Sequence, residues 1–140
     1  MRIKGMSLME ILAIIIIIAI LAAIALPNFT PIREKVLDKE ASASLKLIQA
    51  AEKIYRLETD FYYPYPGTTP APDNSAINQN LKLSLPTGDD KKWDYTVKVP
   101  TSTGDPGSGC SSATRYSGPD TRRWRLGVDE SEPVANATCP

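Results

Sequence analysis

The chain has 140 residues, 42% of them hydrophobic and 23% charged, which fits one small domain. Sixteen Lys and Arg balance sixteen Asp and Glu, so net charge makes no case for nucleic acid as a partner. Histidine is absent, which excludes histidine acid–base chemistry and histidine metal ligation.

The N-terminus carries the strongest signal. Arg2 and Lys4 form a short positive region, and sixteen apolar residues run from Ile11 to Leu26. That run gives roughly 24 Å of helix; extended back to Met6 it gives roughly 31 Å, close to the thickness of a bilayer's hydrocarbon core. Glu10 stands at its edge. A charge within the core costs roughly 2.5–3.5 kcal/mol or more, so something must neutralise Glu10 in the working state. An amine freed by a cut next to Gly5 would be well placed to do so. Two plainer readings compete: a cleaved secretory signal ending at Ala23-Ile24-Ala25, and an uncleaved anchor whose Glu10 merely favours a helix N-terminus.

Gly5-Met6-Ser7-Leu8-Met9-Glu10, the Ile- and Ala-rich run and Leu26-Pro27 together resemble the class III signal of type IV pilins and type II secretion pseudopilins. Met6 stands where most members have Phe, and Ser7-Leu8-Met9 where Thr-Leu-Ile is usual. The resemblance implies a prepilin peptidase cut after Gly5 and N-methylation of the new terminus, Met6. It also implies pairing of Glu10 with a neighbouring copy's terminal amine, and a helix kink at Pro27. Physics agrees: a charged pair shared in an apolar bundle satisfies both groups, while either alone is strongly unfavourable, and the pairing fixes one axial stagger.

Helical spacing continues past the apolar run. Leu37, Ala41, Leu45, Ile48, Ala51 and Tyr55 recur every three or four residues as one apolar stripe, with Lys35, Asp38, Lys39, Lys46, Glu52 and Lys53 largely off it. Pro27 and Pro31 interrupt the pattern; each costs about 3 kcal/mol or more in a helix interior, so a bend is expected there. In a filament, Leu21–Pro31 is where the helix is expected to open or stretch.

Composition shifts after Leu57. Glu58–Asp90 is rich in Pro, Gly, Asn, Asp, Ser and Thr and reads as an irregular connection, with a short helical turn within Asn78–Leu85. Trp93–Val99 is the clearest strand, with Trp93, Tyr95, Val97 and Val99 on one face. Pro100–Ser112 reads as a loop, Thr114–Tyr116 and Arg122–Val128 as strands, and Pro133–Ala137 as an edge segment. The expected fold is α+β: a long N-terminal helix packed against a small antiparallel sheet. Its parts are a leader over 1–5, a transmembrane or filament-core helix over 6–26, an amphipathic helix with a proline kink over 27–58, and a soluble head over 59–140.

Cys110 and Cys139 are an even pair in an export-like chain and read as a disulfide; buried reduced thiols are the alternative in a cytosolic protein. The resemblance points the same way, since many type IV pilins close a C-terminal loop with a disulfide. Arg122, Arg123 and Arg125 beside Trp124 form a small basic–aromatic set, but Asp120, Asp129 and Glu130 oppose it, so nucleic acid is not the expected partner. Asp105, Asp120, Asp129, Glu130 and Glu132 could offer oxygens to Ca²⁺ without any ordered ligand spacing, and no cofactor is expected. Asn136-Ala137-Thr138 matches a glycosylation acceptor, and the tyrosines around the helix end read as buried under the following loop.

No nucleophile–base pair, phosphate loop or zinc pattern occurs, so the chain is not expected to be an enzyme. The resemblance implies a filament subunit made as a single-pass inner-membrane precursor, with its head outside the cytoplasm and its own copies, a prepilin peptidase and an inner-membrane assembly platform as partners. The product would be a cell-surface pilus or, as the first alternative, the periplasmic pseudopilus of a type II secretion system. A monomeric membrane-anchored binding module is the further alternative.

Overall fold

The computed structural model describes residues 7–24, 29–64, 73–99, 109–116 and 122–139. The chain divides into two units, Met1–Lys35 and Val36–Pro140. In the first, helix α1 spans Leu8–Ile24, seventeen residues of which Glu10 alone is not apolar. Ser7 stands just before it and its carbonyl accepts the amides of Glu10 at 2.9 Å and Ile11 at 3.3 Å. Among the described residues no helix is long and apolar enough to cross a membrane.

Helix α2 runs from Phe29 to Thr59. Pro31 is its third residue, where the missing N–H has no intrahelical acceptor to lose, so it occupies a helix start and not an interior. Pro27 lies outside the described residues. At the other end Asp60 turns left-handed, its amide still bonded to the Arg56 carbonyl at 2.8 Å, while the Thr59 hydroxyl donates to the Tyr55 carbonyl.

In the second unit Ala41, Leu45, Ile48 and Ala51 of α2 are buried, with Leu37 and Tyr55 packed against them, which is the apolar stripe expected from spacing. They meet a four-stranded antiparallel sheet in the order β1-β2-β3-β4, formed by Trp93–Lys98, Cys110–Arg115, Arg123–Gly127 and Val134–Ala135. Trp93, Tyr95 and Val97 alternate inward along β1 and join Ala113 and Leu126 in the core. The Trp93 indole also donates to the Leu37 carbonyl at 3.1 Å, tying strand to helix. The architecture is the expected α+β, helix against a small antiparallel sheet.

Two elements differ from expectation. Strand β2 begins at Cys110, inside the stretch read as loop, because its register places Ala113 between Tyr95 and Trp124 and Ser111 between Val97 and Leu126. Large side chains on both neighbours leave room only for small ones, which hides the strand from propensity. Helix α3 spans Asn74–Leu81, earlier than the turn expected at Asn78–Leu85. Asp73 caps it, its side chain accepting the Ala76 amide at 2.9 Å, and left-handed Lys82 ends it.

Candidate functional site

The anticipated assembly determinants lie at the N-terminus. Gly5 and Met6 fall outside the described residues. Glu10 is the third residue of α1, three after Ser7, and is exposed. Ser7-Leu8-Met9-Glu10 is thus also a capping-box pattern, so this carboxylate has a local helix-start use beside any intermolecular one. Around it the described side chains of α1 through Ala23 are all exposed, among them every isoleucine from Ile14 to Ile18. A surface this apolar and this continuous requires cover, from lipid or from protein.

The second unit is held by polar pins that periodicity does not reveal. Asn74, in the first turn of α3, is buried; its amide nitrogen donates to the Pro86 carbonyl at 2.7 Å and the Trp93 carbonyl at 3.1 Å, and its oxygen accepts the Tyr95 amide at 2.7 Å. The side chain acts as a peptide group, covering the free edge of β1 as a further strand would. Asn78 does the same for the connection, exchanging hydrogen bonds with both backbone groups of Leu85. On α2, the Gln49 amide nitrogen lies 2.7, 3.2 and 2.7 Å from the carbonyl oxygens of Gly127, Val128 and Glu130, fixing the turn after β3. The run of amides after Pro72 was the available hint of the first two; nothing local marks Gln49.

Glu52 departs from the reading that placed it off the apolar stripe. It is buried, one helical turn from Ile48, and its Oε2 accepts the Tyr63 amide at 2.8 Å. Burial pushes its carboxyl up to about 7, against the lowering effect of that hydrogen bond. Tyr95, beneath α2, is likewise lifted to about 12 by burial, partly offset by Ser44.

The two cysteines are joined as Cys110–Cys139, closing a loop of sequence separation 29 from the start of β2 to the C-terminal segment. Most of the arginine set is engaged within the head: Arg122 pairs with Asp38 at 3.0 Å and Arg125 with Glu130 at 2.9 Å, while Arg123 is exposed. Of the calcium candidates, Asp105 and Asp120 lie outside the described residues. Glu130 accepts the Gly127 amide as well as Arg125, and Glu132 pairs with Lys46. Among the described residues no three His, Cys, Asp or Glu side chains are placed to hold a metal. Of the tyrosine cluster, Tyr62 is buried and Tyr63 meets Tyr55 edge-on at 5.8 Å, but Phe61 is exposed. Asn136 of the acceptor motif is exposed, in a left-handed turn after β4. A groove of about 310 Å³ opens between Leu47, Ile54 and Tyr55 of α2 and Asn80–Leu83.

Comparison with known proteins adds to this geometry. The chain is 39% identical over 61 residues to type IV major pilin protein PilA of Myxococcus xanthus, a match covering 44% of this chain and 28% of that protein. Over that stretch the chain is similar to a type IV pilin. It is also 33% identical over 57 residues to competence protein ComGC of Streptococcus pneumoniae, covering 41% of this chain and 53% of that protein. Both relatives agree with the pilin and pseudopilin resemblance of the N-terminus. The chain spans between about a quarter and about half the length of these relatives. No family model and no solved structure matches it.

Proposed function

We propose that the chain is a structural subunit of a type IV pilus-like filament. It is made as an inner-membrane precursor, cut after Gly5 by a prepilin peptidase, methylated at Met6, and polymerised with the help of an assembly platform through the helices that begin at Met6. The observation that carries this reading is α1 itself: an apolar surface on every side, interrupted only by a carboxylate in the first turn. A single transient anchor has no use for that charge beyond its helix start. A bundle of identical helices does, since each cut exposes an amine that a neighbouring Glu10 can hold. The pilin and competence-protein relatives support the same assignment.

Intact mass of the native protein, with electron microscopy and peptide mapping of sheared surface fibres, tests the reading. A product lacking its first five residues, found in surface fibres, is expected. A cut product retained in the periplasm moves the assignment to a secretion pseudopilus. An uncut monomer ends both.

A further inference from the structure

Among the described residues, Glu52 is the charged side chain most completely hidden in the head, at 2% exposure. One oxygen receives the Tyr63 amide; the other, Oε1, is buried with no partner. Beside it is a cavity of about 10 Å³, walled by Val97, Gly109, Cys110, Ser111, Leu126 and Val128. Among the described residues the groups facing it offer no counter-charge. Val97 of β1, Leu126 of β3 and Val128 are apolar, Cys110 is in the disulfide, and the Ser111 hydroxyl donates to the Leu126 carbonyl. On α2 itself, Gln49 is committed to the β3 turn, Lys53 is exposed, and Tyr55 packs on Tyr63. Arg56, one turn along, donates to the Tyr62 hydroxyl at 2.9 Å and lies 4.8 Å from that ring's centre.

The segment Glu52 holds is itself a connector. Tyr62 packs over Gly109, where a β-carbon would sit in ordinary contact, 3.5 Å from the ring's Cγ. Gly109 immediately precedes the disulfide-linked Cys110. We propose that Glu52 is a proton-operated latch, which as the neutral acid closes Phe61–Pro64 onto helix α2 and as the carboxylate releases it. As the acid, Glu52 keeps its carbonyl-type acceptor for Tyr63 without placing a charge among apolar walls. As the carboxylate it carries an unpaired buried charge, and the nearest cation in sequence on its own helix face is Arg56, at the i,i+4 spacing that favours Glu before Arg. Recruiting Arg56 takes its donor from Tyr62 and frees that ring from Gly109. The raised carboxyl, near 7, puts the change at neutral pH. The latch belongs to the head and stands whether or not the chain polymerises.

Full-length isotope-labelled protein in detergent micelles tests it, by side-chain carboxyl carbon shifts and amide exchange between about pH 5.5 and about pH 8.5. Expected is a Glu52 midpoint near neutrality and, across it, a loss of Tyr63 amide protection of about tenfold beyond the intrinsic pH effect. Glu52→Gln should abolish the pH response while keeping Tyr63 protected. A Glu52 midpoint near the ordinary 4.5, unchanged Tyr63 protection, or an unaltered pH response in Glu52→Gln each overturns the latch. Should the variant fail to fold, the wild-type titration and exchange decide alone.

Discussion

Helix α1 and the head treat an acidic residue among apolar neighbours in opposite ways. Glu10 sits exposed in the first turn of a helix whose every other residue is apolar, and among the described residues it has no ion-pair partner. Glu52 sits inside a formed core, takes a backbone N–H from its own chain, and is pushed toward the neutral acid. Under the proposed assembly the first site is completed from outside the molecule, whereas the second is completed from within. A carboxylate that a fold encloses among apolar walls is pushed toward the neutral acid, as at Glu52.

The largest effect should come from breaking the outside half. Glu10→Gln preserves the capping-box residue type and removes the charge, so on the pairing account it fails to enter fibres as completely as Glu10→Ala. Loss of a buried pair costs roughly 3–5 kcal/mol, enough to take incorporation in a mixed-subunit assay below detection. Normal incorporation of Glu10→Gln would reduce Glu10 to a helix cap. Neither variant should move the unfolding midpoint of the head.

Next in size is the covalent tie. Replacing both Cys110 and Cys139 by Ser should lower head stability by roughly 3–4 kcal/mol on the chain-entropy account of a loop this long, measured by denaturant unfolding. Glu52→Gln should act in the other direction and only at higher pH. The folded chain holds a proton between about pH 4.5 and about pH 7 that the unfolded chain lacks, so wild-type stability falls as pH rises through that window and is flat above it. At about 1.4 kcal/mol per pH unit the difference is at most about 3 kcal/mol at pH values above 7 and disappears below the window. Unfolding curves of both proteins on either side of the window check it; parallel pH profiles would return Glu52 to the ordinary carboxylates.

Asn74→Ala should cost roughly 2 kcal/mol, since it orphans the Pro86 and Trp93 carbonyls and the Tyr95 amide at once. Faster exchange of the Tyr95 amide, with the β2–β3 amides unchanged, would localise the damage to the β1 edge.

What the sequence made legible follows the same division. The apolar helix, the stripe Leu37 to Tyr55 and the inward row of β1 were readable because burial there is periodic and made of residues that prefer it. The start of β2 was not, because Ala113 and the serines are chosen by Tyr95, Val97, Trp124 and Leu126 on strands distant in sequence. Gln49 and Glu52 were unreadable, and Asn74 no more than hinted at by the amides around it, for a related reason. A buried polar side chain is set by the one backbone group it meets, and that group is fixed only when the fold closes. Charges on α2 likewise found partners across the head, Asp38 with Arg122 and Lys46 with Glu132.

The smallest prediction uses that last pair. Lys46 and Gln49 stand one turn apart on α2 and both reach the stretch between Gly127 and Glu132. Their contacts look equivalent at 2.8 and 2.7 Å, yet the surroundings differ. Lys46 and Glu132 are 45% and 73% exposed at the side chain, so water and salt compete for both ends, and such pairs contribute about 0–1 kcal/mol. Gln49 is half-buried, and the three carbonyls gathered around its nitrogen have fewer alternative donors if it is lost. Glu132→Ala should therefore shift the unfolding free energy by no more than about 0.5 kcal/mol and lose even that in high salt, while Gln49→Ala should cost about 1–2 kcal/mol at any ionic strength. Equal costs for the two variants would mean that the surface pair, and not the amide, anchors the β3 turn to the helix.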